Sequence, residues 1–148
     1  MNEPIFRKAL PADWKAIRAL LEANKLPLDG ARDHLGCFVV AQHESGLVAC
    51  GGLELYGSVA LVRSVAVAEQ HRGKGLGQDV AMRLCASALD EGVETLVLLT
   101  DTAESYFRRL GFKTVQRTEL PEAIMVSAEF RGACPASATA MLKRLSTN

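Results

Sequence analysis

The sequence predicts an α/β domain: a mixed, mostly antiparallel central sheet flanked by helices, with a strand-loop-helix unit that cradles phosphate. Three observations carry this prediction. Strand-like runs at residues 37–42, 47–55 and 59–67 are joined by the short turns Glu44-Ser45-Gly46 and Gly57-Ser58, as an antiparallel meander requires. The third run then passes through the basic, glycine-rich stretch Arg72-Gly73-Lys74-Gly75-Leu76-Gly77-Gln78 straight into a helix. That helix leads to a second apolar strand at residues 95–99, so the pair implies a parallel crossover.

Taken in chain order, residues 5–8 form a short apolar strand, and a helix over residues 11–24 puts Trp14, Ile17, Leu20 and Leu21 on one face. Leu26-Pro27-Leu28-Asp29-Gly30 breaks it, and a weak helical turn toward His34 forms a segment suited to closing over a substrate. After the meander, the helix from Leu76 buries Leu76, Val80, Leu84, Cys85, Ala88 and Leu89 and ends by Gly92. The apolar run 95–99 suits a covered place in the sheet. A short helix over 103–110 stops at Gly111, a strand follows at 113–117, a weak helical patch lies at 121–127, and a last strand spans 139–145.

With 148 residues and 49% hydrophobic content, the chain buries one core, so residues 1–148 are expected to be a single domain. The 17 basic and 17 acidic residues cancel, which argues against nucleic acid or an anionic membrane as partner. No apolar run approaches transmembrane length, and Met1-Asn2-Glu3-Pro4 lacks the basic start of a leader, so a cytoplasmic setting is expected. Cys37, Cys50, Cys85 and Cys134 show no metal-ligand spacing; they read as reduced packing residues, with Cys134, before Pro135, the candidate for a site wall. No metal is expected.

Alternating glycines let several N–H groups of the loop point one way, and the helix behind them adds the positive end of its dipole. A P-loop is excluded, because position 68 is alanine and Lys74 is followed by Gly75. A dinucleotide fingerprint fits poorly, although Asp101 after the next strand keeps it open, as does an ordinary glycine-rich turn. Beside the loop, a two-residue Gly57-Ser58 hairpin sets Tyr56 opposite Val59, Glu54 opposite Leu61, and Arg63 diagonal to Glu54 on the same face. Glu54 is then a candidate base and Arg63 a candidate holder of a substrate carboxylate; the plain alternative is an ion pair between strands.

Arg72, Gly75 and Gly77 spell Arg-x-x-Gly-x-Gly, which resembles the acetyl-coenzyme A loop of the GNAT acetyltransferase superfamily. Ala103-Glu104-Ser105-Tyr106-Phe107-Arg108-Arg109-Leu110-Gly111-Phe112 extends the likeness to nearly the whole chain. More narrowly, residues 61–67, 98–103 and 129–138 resemble N-acetyltransferases encoded in arsenic-resistance operons, and also the acetyltransferase domain of N-acetylglutamate synthase. The resemblance implies that loop amides from Arg72 to Gln78 bind pyrophosphate, that Val65, Ala66 and Val67 pair with pantetheine, and that a small amine attacks the thioester directly.

Two departures stand out. Thr100 occupies the place where many members carry a pantetheine-binding asparagine, and Phe107 the place of their tyrosine acid, with Tyr106 turned about 100° away on the helix. Glu54 is the expected base, a backbone N–H near Val65 the polarising group, and Tyr106 or solvent the proton donor to the thiolate. Arg63, Ser64 and Tyr56 form the expected acceptor site. His34, His43 and His71 have no recognisable triad partners. An amino-acid-like acceptor is favoured, arsenic or antimetabolite resistance is a further expectation, and a homodimer is compatible with the sequence. Protein acetylation and a non-catalytic acetyl-coenzyme A sensor are the alternatives.

Overall fold

The computed structural model describes residues 3–145; Met1, Asn2 and the last three residues of the expected domain, including part of the leader reading, lie outside them. One sheet of seven strands runs through the molecule in the order β1-β2-β3-β4-β5-β7-β6. The strands are β1 (Ile5–Lys8), β2 (Phe38–His43), β3 (Gly46–Tyr56), β4 (Val59–Val67), β5 (Thr95–Thr100), β6 (Lys113–Val115) and β7 (Thr139–Arg144). The helices are α1 (Trp14–Ala23), α2 (Leu76–Asp90) and α3 (Glu104–Arg109). Among the described residues, only β4 and β5 pair in parallel, as the crossover through α2 requires; the meander is antiparallel, and β7 inserts between β5 and β6.

Element boundaries differ from expectation where side chains intervene. The first helix opens as a 3-10 turn over Pro11–Asp13, because the Asp13 carboxylate accepts the Leu10 N–H at 2.7 Å and pairs with Arg7 at 2.8 Å. The turn toward His34 is a 3-10 helix over Arg32–Cys37. The strand expected over 113–117 stops at Val115, where the Glu119 carboxylate takes the Gln116 N–H at 2.7 Å and starts another 3-10 turn. The weak helical patch is one of three 3-10 pieces, Arg117–Glu119, Glu122–Val126 and Ala128–Arg131. Among the described residues, no helix is long and apolar enough to cross a membrane.

One face of the sheet is covered by α2, whose Val80, Leu84 and Ala88 are fully buried against β-strand residues such as Leu53, Val62 and Leu96. The other face has two covers. Ile17, Leu20 and Leu21 of α1 pack on Phe38, Val40, Cys50 and Ala66, while Leu120 and Ile124 of the 3-10 segment pack on Leu61, Val97 and Leu142. Each fully buried aliphatic chain contributes roughly 1.5–3 kcal/mol. β3 is closely approached at Gly51 by α2 and at Gly52 by the neighbouring strand: added methyl groups would lie 2.5 Å from Val80 and 2.2 Å from the ring of Phe38 in β2. A polar seam separates the two covers, and it holds the charged residues described next.

β4 is also interrupted. Cys50 faces Ala66 and Gly52 faces Arg63, so two residues of β4 oppose Gly51 alone; Ser64, in this bulge, adopts φ 61°. A bulge bends its strand. β4 and β5 pair only over residues 59–61 and 95–97, and beyond that point the two strands part.

Candidate active site

The parted strands open a cleft with two connected lobes. The wider lobe, about 690 Å³, is walled by Val62, Arg63, Ser64 and Val65 of β4, by Leu98 to Ala103, and by Glu129, Cys134 and Pro135. The narrower, about 430 Å³, runs along Val65 and Val67 to His71, Arg72, Gly73, Gly75, Leu76 and Gly77, with Tyr106 and Phe107 opposite. Asn24, Val65, Ala103 and Phe107 line both, so one continuous channel joins the glycine loop to the charged seam.

At the loop, Gly75 takes φ 80° as the residue preceding α2, a conformation that costs a side chain energy and glycine little. The first backbone bond of this helix end runs from Asp79 N–H to Gly75 O at 3.0 Å, so the amides of the preceding turn have no carbonyl of the helix to serve. These amides, with the helix dipole, make an anion site. Arg72 braces the loop, donating to Val67 O at 3.3 Å and to the Asn24 side chain at 2.8 Å at the end of α1. Lys74 and Gln78 are exposed beside the cradle. Gly77 permits a close approach of another kind: a methyl group there would meet the Tyr106 hydroxyl at 2.6 Å.

The hairpin register places Tyr56 against Val59 and Glu54 against Leu61, the arrangement read from the Gly57-Ser58 turn. Glu54 and Arg63 meet at 2.7 Å with side chains 1% and 0% exposed. The Glu54 carboxylate also accepts from the Tyr56 hydroxyl and lies 3.6 Å from His34. Burial alone would push Glu54 up, but the hydrogen bonds from Tyr56, Arg63 and Ser127 outweigh it and hold its pKa below the usual carboxylate value. Tyr56 is pushed up to about 12 by burial and by its bond to Glu54. The residue expected to accept a proton is thus held in a buried cluster, and it is not among the residues that line either lobe of the cleft.

Arg63 is shared. Besides Glu54 it donates to Ser64 Oγ at 3.1 Å and to Pro27 O at 3.3 Å, and its Nε lies 3.5 Å from Glu129. Burial pushes Glu129 up to about 7, the Arg63 charge opposing the rise and the Glu54 charge adding to it. Cys134, whose thiol hydrogen-bonds to Glu129, is pushed up to about 12 by burial and by that carboxylate's charge.

The other expected residues divide between the channel and its supports. Ser64 is buried and lines the wide lobe, while Ala66 packs its side chain into the α1 core. Thr100 lines the wide lobe, and its hydroxyl accepts the Ala103 N–H at 3.0 Å at the start of α3. Tyr56 packs beside Leu61 as a support of Glu54. Sequence reasoning missed Glu129. Its only signal was the segment Glu129-Phe130-x-x-x-Cys134-Pro135, whose irregular folding toward β4 no local periodicity reveals. Among the described residues, no group of three His, Cys, Asp or Glu side chains is arranged to hold a metal ion.

A model described as an acetyltransferase (GNAT) domain matches residues 34–114, more than half of the chain, which belongs to this family. An uncharacterized N-acetyltransferase of Chlorobaculum tepidum is 29% identical over 126 residues, covering 80% of this chain and 81% of the relative. An amino-acid acetyltransferase of Mycobacterium tuberculosis is 30% identical over 125 residues, covering 78% of this chain and 71% of the relative. Among solved structures, N-acetylglutamate synthase of Neisseria gonorrhoeae, complexed with coenzyme A and N-acetyl-glutamate, superposes with a TM-score of 0.84 at 22% identity. That match covers 99% of this chain and 36% of the synthase, and it bears on the fold. The protein is an N-acetyltransferase, which sets aside the non-catalytic sensor.

Proposed function

We propose that this protein transfers the acetyl group of acetyl-coenzyme A to the amine of a small, amino-acid-like acceptor by direct attack within a ternary complex. The observation that carries the reading is the channel itself: an amide cradle at one end, parted strand edges along it, and a buried charged seam at the other. The cradle suits a pyrophosphate, and the free edge of β4 beyond Leu61 suits an amide-bearing pantetheine arm. When bound, acetyl-coenzyme A supplies an activated acyl group. The chain supplies the amides that hold it, the walls that exclude water, and the charges that receive the acceptor.

The seam favours a cationic acceptor. Two buried carboxylates, Glu54 and Glu129, share the single guanidinium of Arg63, so an ammonium group entering the wide lobe would balance the second negative charge. The amino-acid acetyltransferase relative and the synthase complex support an acceptor of amino-acid type. The resemblance of residues 61–67, 98–103 and 129–138 to arsenic-operon acetyltransferases extends the acceptors we propose to arsenic and phosphorus analogues of amino acids. We read residues 1–148 as one such domain, working in the cytoplasm without metal.

The test is a screen for release of coenzyme A thiol from acetyl-coenzyme A across amino acids, their arsenic and phosphorus analogues, polyamines and peptides. Turnover concentrated on amino acids or their analogues is expected. Turnover confined to peptides or polyamines would overturn the acceptor class, and no release with any amine would overturn the reading entire.

A further inference from the structure

We propose that Glu129 is the carboxylate that takes the proton from the acceptor's ammonium group, held for that task by Cys134 and Arg63. The proposal rests on the acceptor class inferred above. Glu129 and Cys134 line the wide lobe together with Arg63, Ser64 and Thr100, whereas Glu54, paired with Arg63, does not. A base must reach the proton it removes, so position comes first.

The backbone explains how the two side chains converge. Ser127 Oγ accepts the Glu129 N–H at 3.2 Å and starts the 3-10 turn Ala128–Arg131. The turn closes with Ala133 N–H on Ala128 O at 3.1 Å and Cys134 N–H on Glu129 O at 3.4 Å, bringing the Cys134 thiol back to the Glu129 carboxylate. Charge matching then separates the two acids. Glu54 holds Arg63 Nη1 at 2.7 Å, while Glu129 lies 3.5 Å from an Nε that already donates to Ser64. Glu129 is the less neutralised of the pair, and a substrate ammonium is the cation that would complete it.

The groups facing Glu129 are Arg63 from β4, Glu54 from β3 with Tyr56 and His34 beyond it, and Cys134 from the closing loop, with Arg117 of the turn Arg117–Glu119 near that thiol. Burial, opposed by Arg63 and Cys134 and aided by the Glu54 charge, raises Glu129 to about 7, in the range where a carboxylate both accepts a proton and returns it to solvent. Cys134, with its pKa at about 12, remains a thiol and donates to the ionised form. In the reaction, one ammonium proton passes to Glu129, and the freed lone pair forms the C–N bond as the thioester C–S bond breaks. A second nitrogen-bound proton goes to the departing sulfur, and the Glu129 proton is later released to water.

The experiment measures kcat/KM for the acceptor against pH, with coenzyme A affinity as a check of the fold, using the best amine from the screen. The wild-type profile should fall about tenfold per unit below about pH 7 and level off above it. In Glu129→Gln the rate at pH 7 should drop about 100-fold. Only amine already neutral in solution then reacts, so kcat/KM climbs steadily toward the amine's own pKa. Cys134→Ala removes a hydrogen bond to the charged form and should move the wild-type bend to higher pH. A Glu129→Gln enzyme that keeps the bend and the rate overturns the proposal, as does loss of the bend in Glu54→Gln alone. Where Glu129→Gln no longer binds coenzyme A, Cys134→Ala decides: an unmoved bend overturns the assignment. Failure of every amine to react overturns the acceptor reading itself, and this assignment with it.

Discussion

Tyr106 and Phe107 show how one position on a helix redistributes chemistry. Phe107 is 9% exposed and packs edge-on against Phe112, with ring centroids 5.8 Å apart, so its place belongs to the core wall of the cleft. Tyr106 lies instead over Gly77 at the cradle, where burial raises its pKa. A hydroxyl there is suited to contacting the cofactor near its phosphates. Tyr106→Phe should therefore raise the KM for acetyl-coenzyme A a few-fold and leave kcat within about threefold, since general acid catalysis is typically worth about 100-fold or more. Steady-state kinetics check this; a 100-fold loss in kcat with normal cofactor affinity would make Tyr106 the acid.

The element that organises the site is β4 with the loop and helix that follow it. Its bulge at Ser64 and its early parting from β5 make the cleft, and the loop turns the chain so that the start of α2 faces along it. Gly75 is the hinge of that turn. Apart from its immediate chain neighbours, no part of the fold lies within 4 Å of where its Cβ would be, so a substitution there acts through φ 80° and through intrusion on the anion, not through a clash within the fold. Gly75→Val should cost on the order of 1–2 kcal/mol in stability from the backbone conformation alone. It should also weaken acetyl-coenzyme A binding more than tenfold. Calorimetric titration of the folded variant tests the second effect, and wild-type affinity would show that the cradle lies elsewhere.

For the molecule as a whole, the charged seam ties stability to pH in two opposed ways. Glu129 is raised to about 7, so the folded protein holds this proton more tightly than the unfolded chain. Stability should then decline as pH rises from the usual carboxylate range, about 4.3, through 7, and level off above it. Glu54 is lowered, so its contribution is complete above its unfolded pKa and is lost as pH falls from there through its folded value. Between pH 5 and 7 the Glu129 effect is opposed by His71, which burial and the neighbouring Lys74 and His43 charges lower from the usual histidine value, so the comparison with Glu129→Gln isolates the carboxylate. Thermal melts should show the Tm of the wild type falling relative to that of Glu129→Gln across that window; a relative Tm that stays constant or rises with pH would contradict the assignment.

What the sequence determined by itself is the part written in local rules. Periodicity located α2 and the meander, the Gly57-Ser58 turn set the register that brings Glu54 and Arg63 to one face, and the glycines at 73, 75 and 77 marked the turn into α2. Each depends on residues close in the chain, where helix geometry, strand alternation and turn length constrain the answer. Tertiary structure alone decided the insertion of β7 between β5 and β6, the bulge at Ser64, and the arrival of Glu129 beside Arg63. Glu129 lies in 3-10 turns with no amphipathic period, and its partner is 66 residues away, so no local pattern encodes the meeting. Whether a carboxylate anchors or titrates then follows from how many donors the fold brings to it, and that number exists only once the sheet has closed around Arg63.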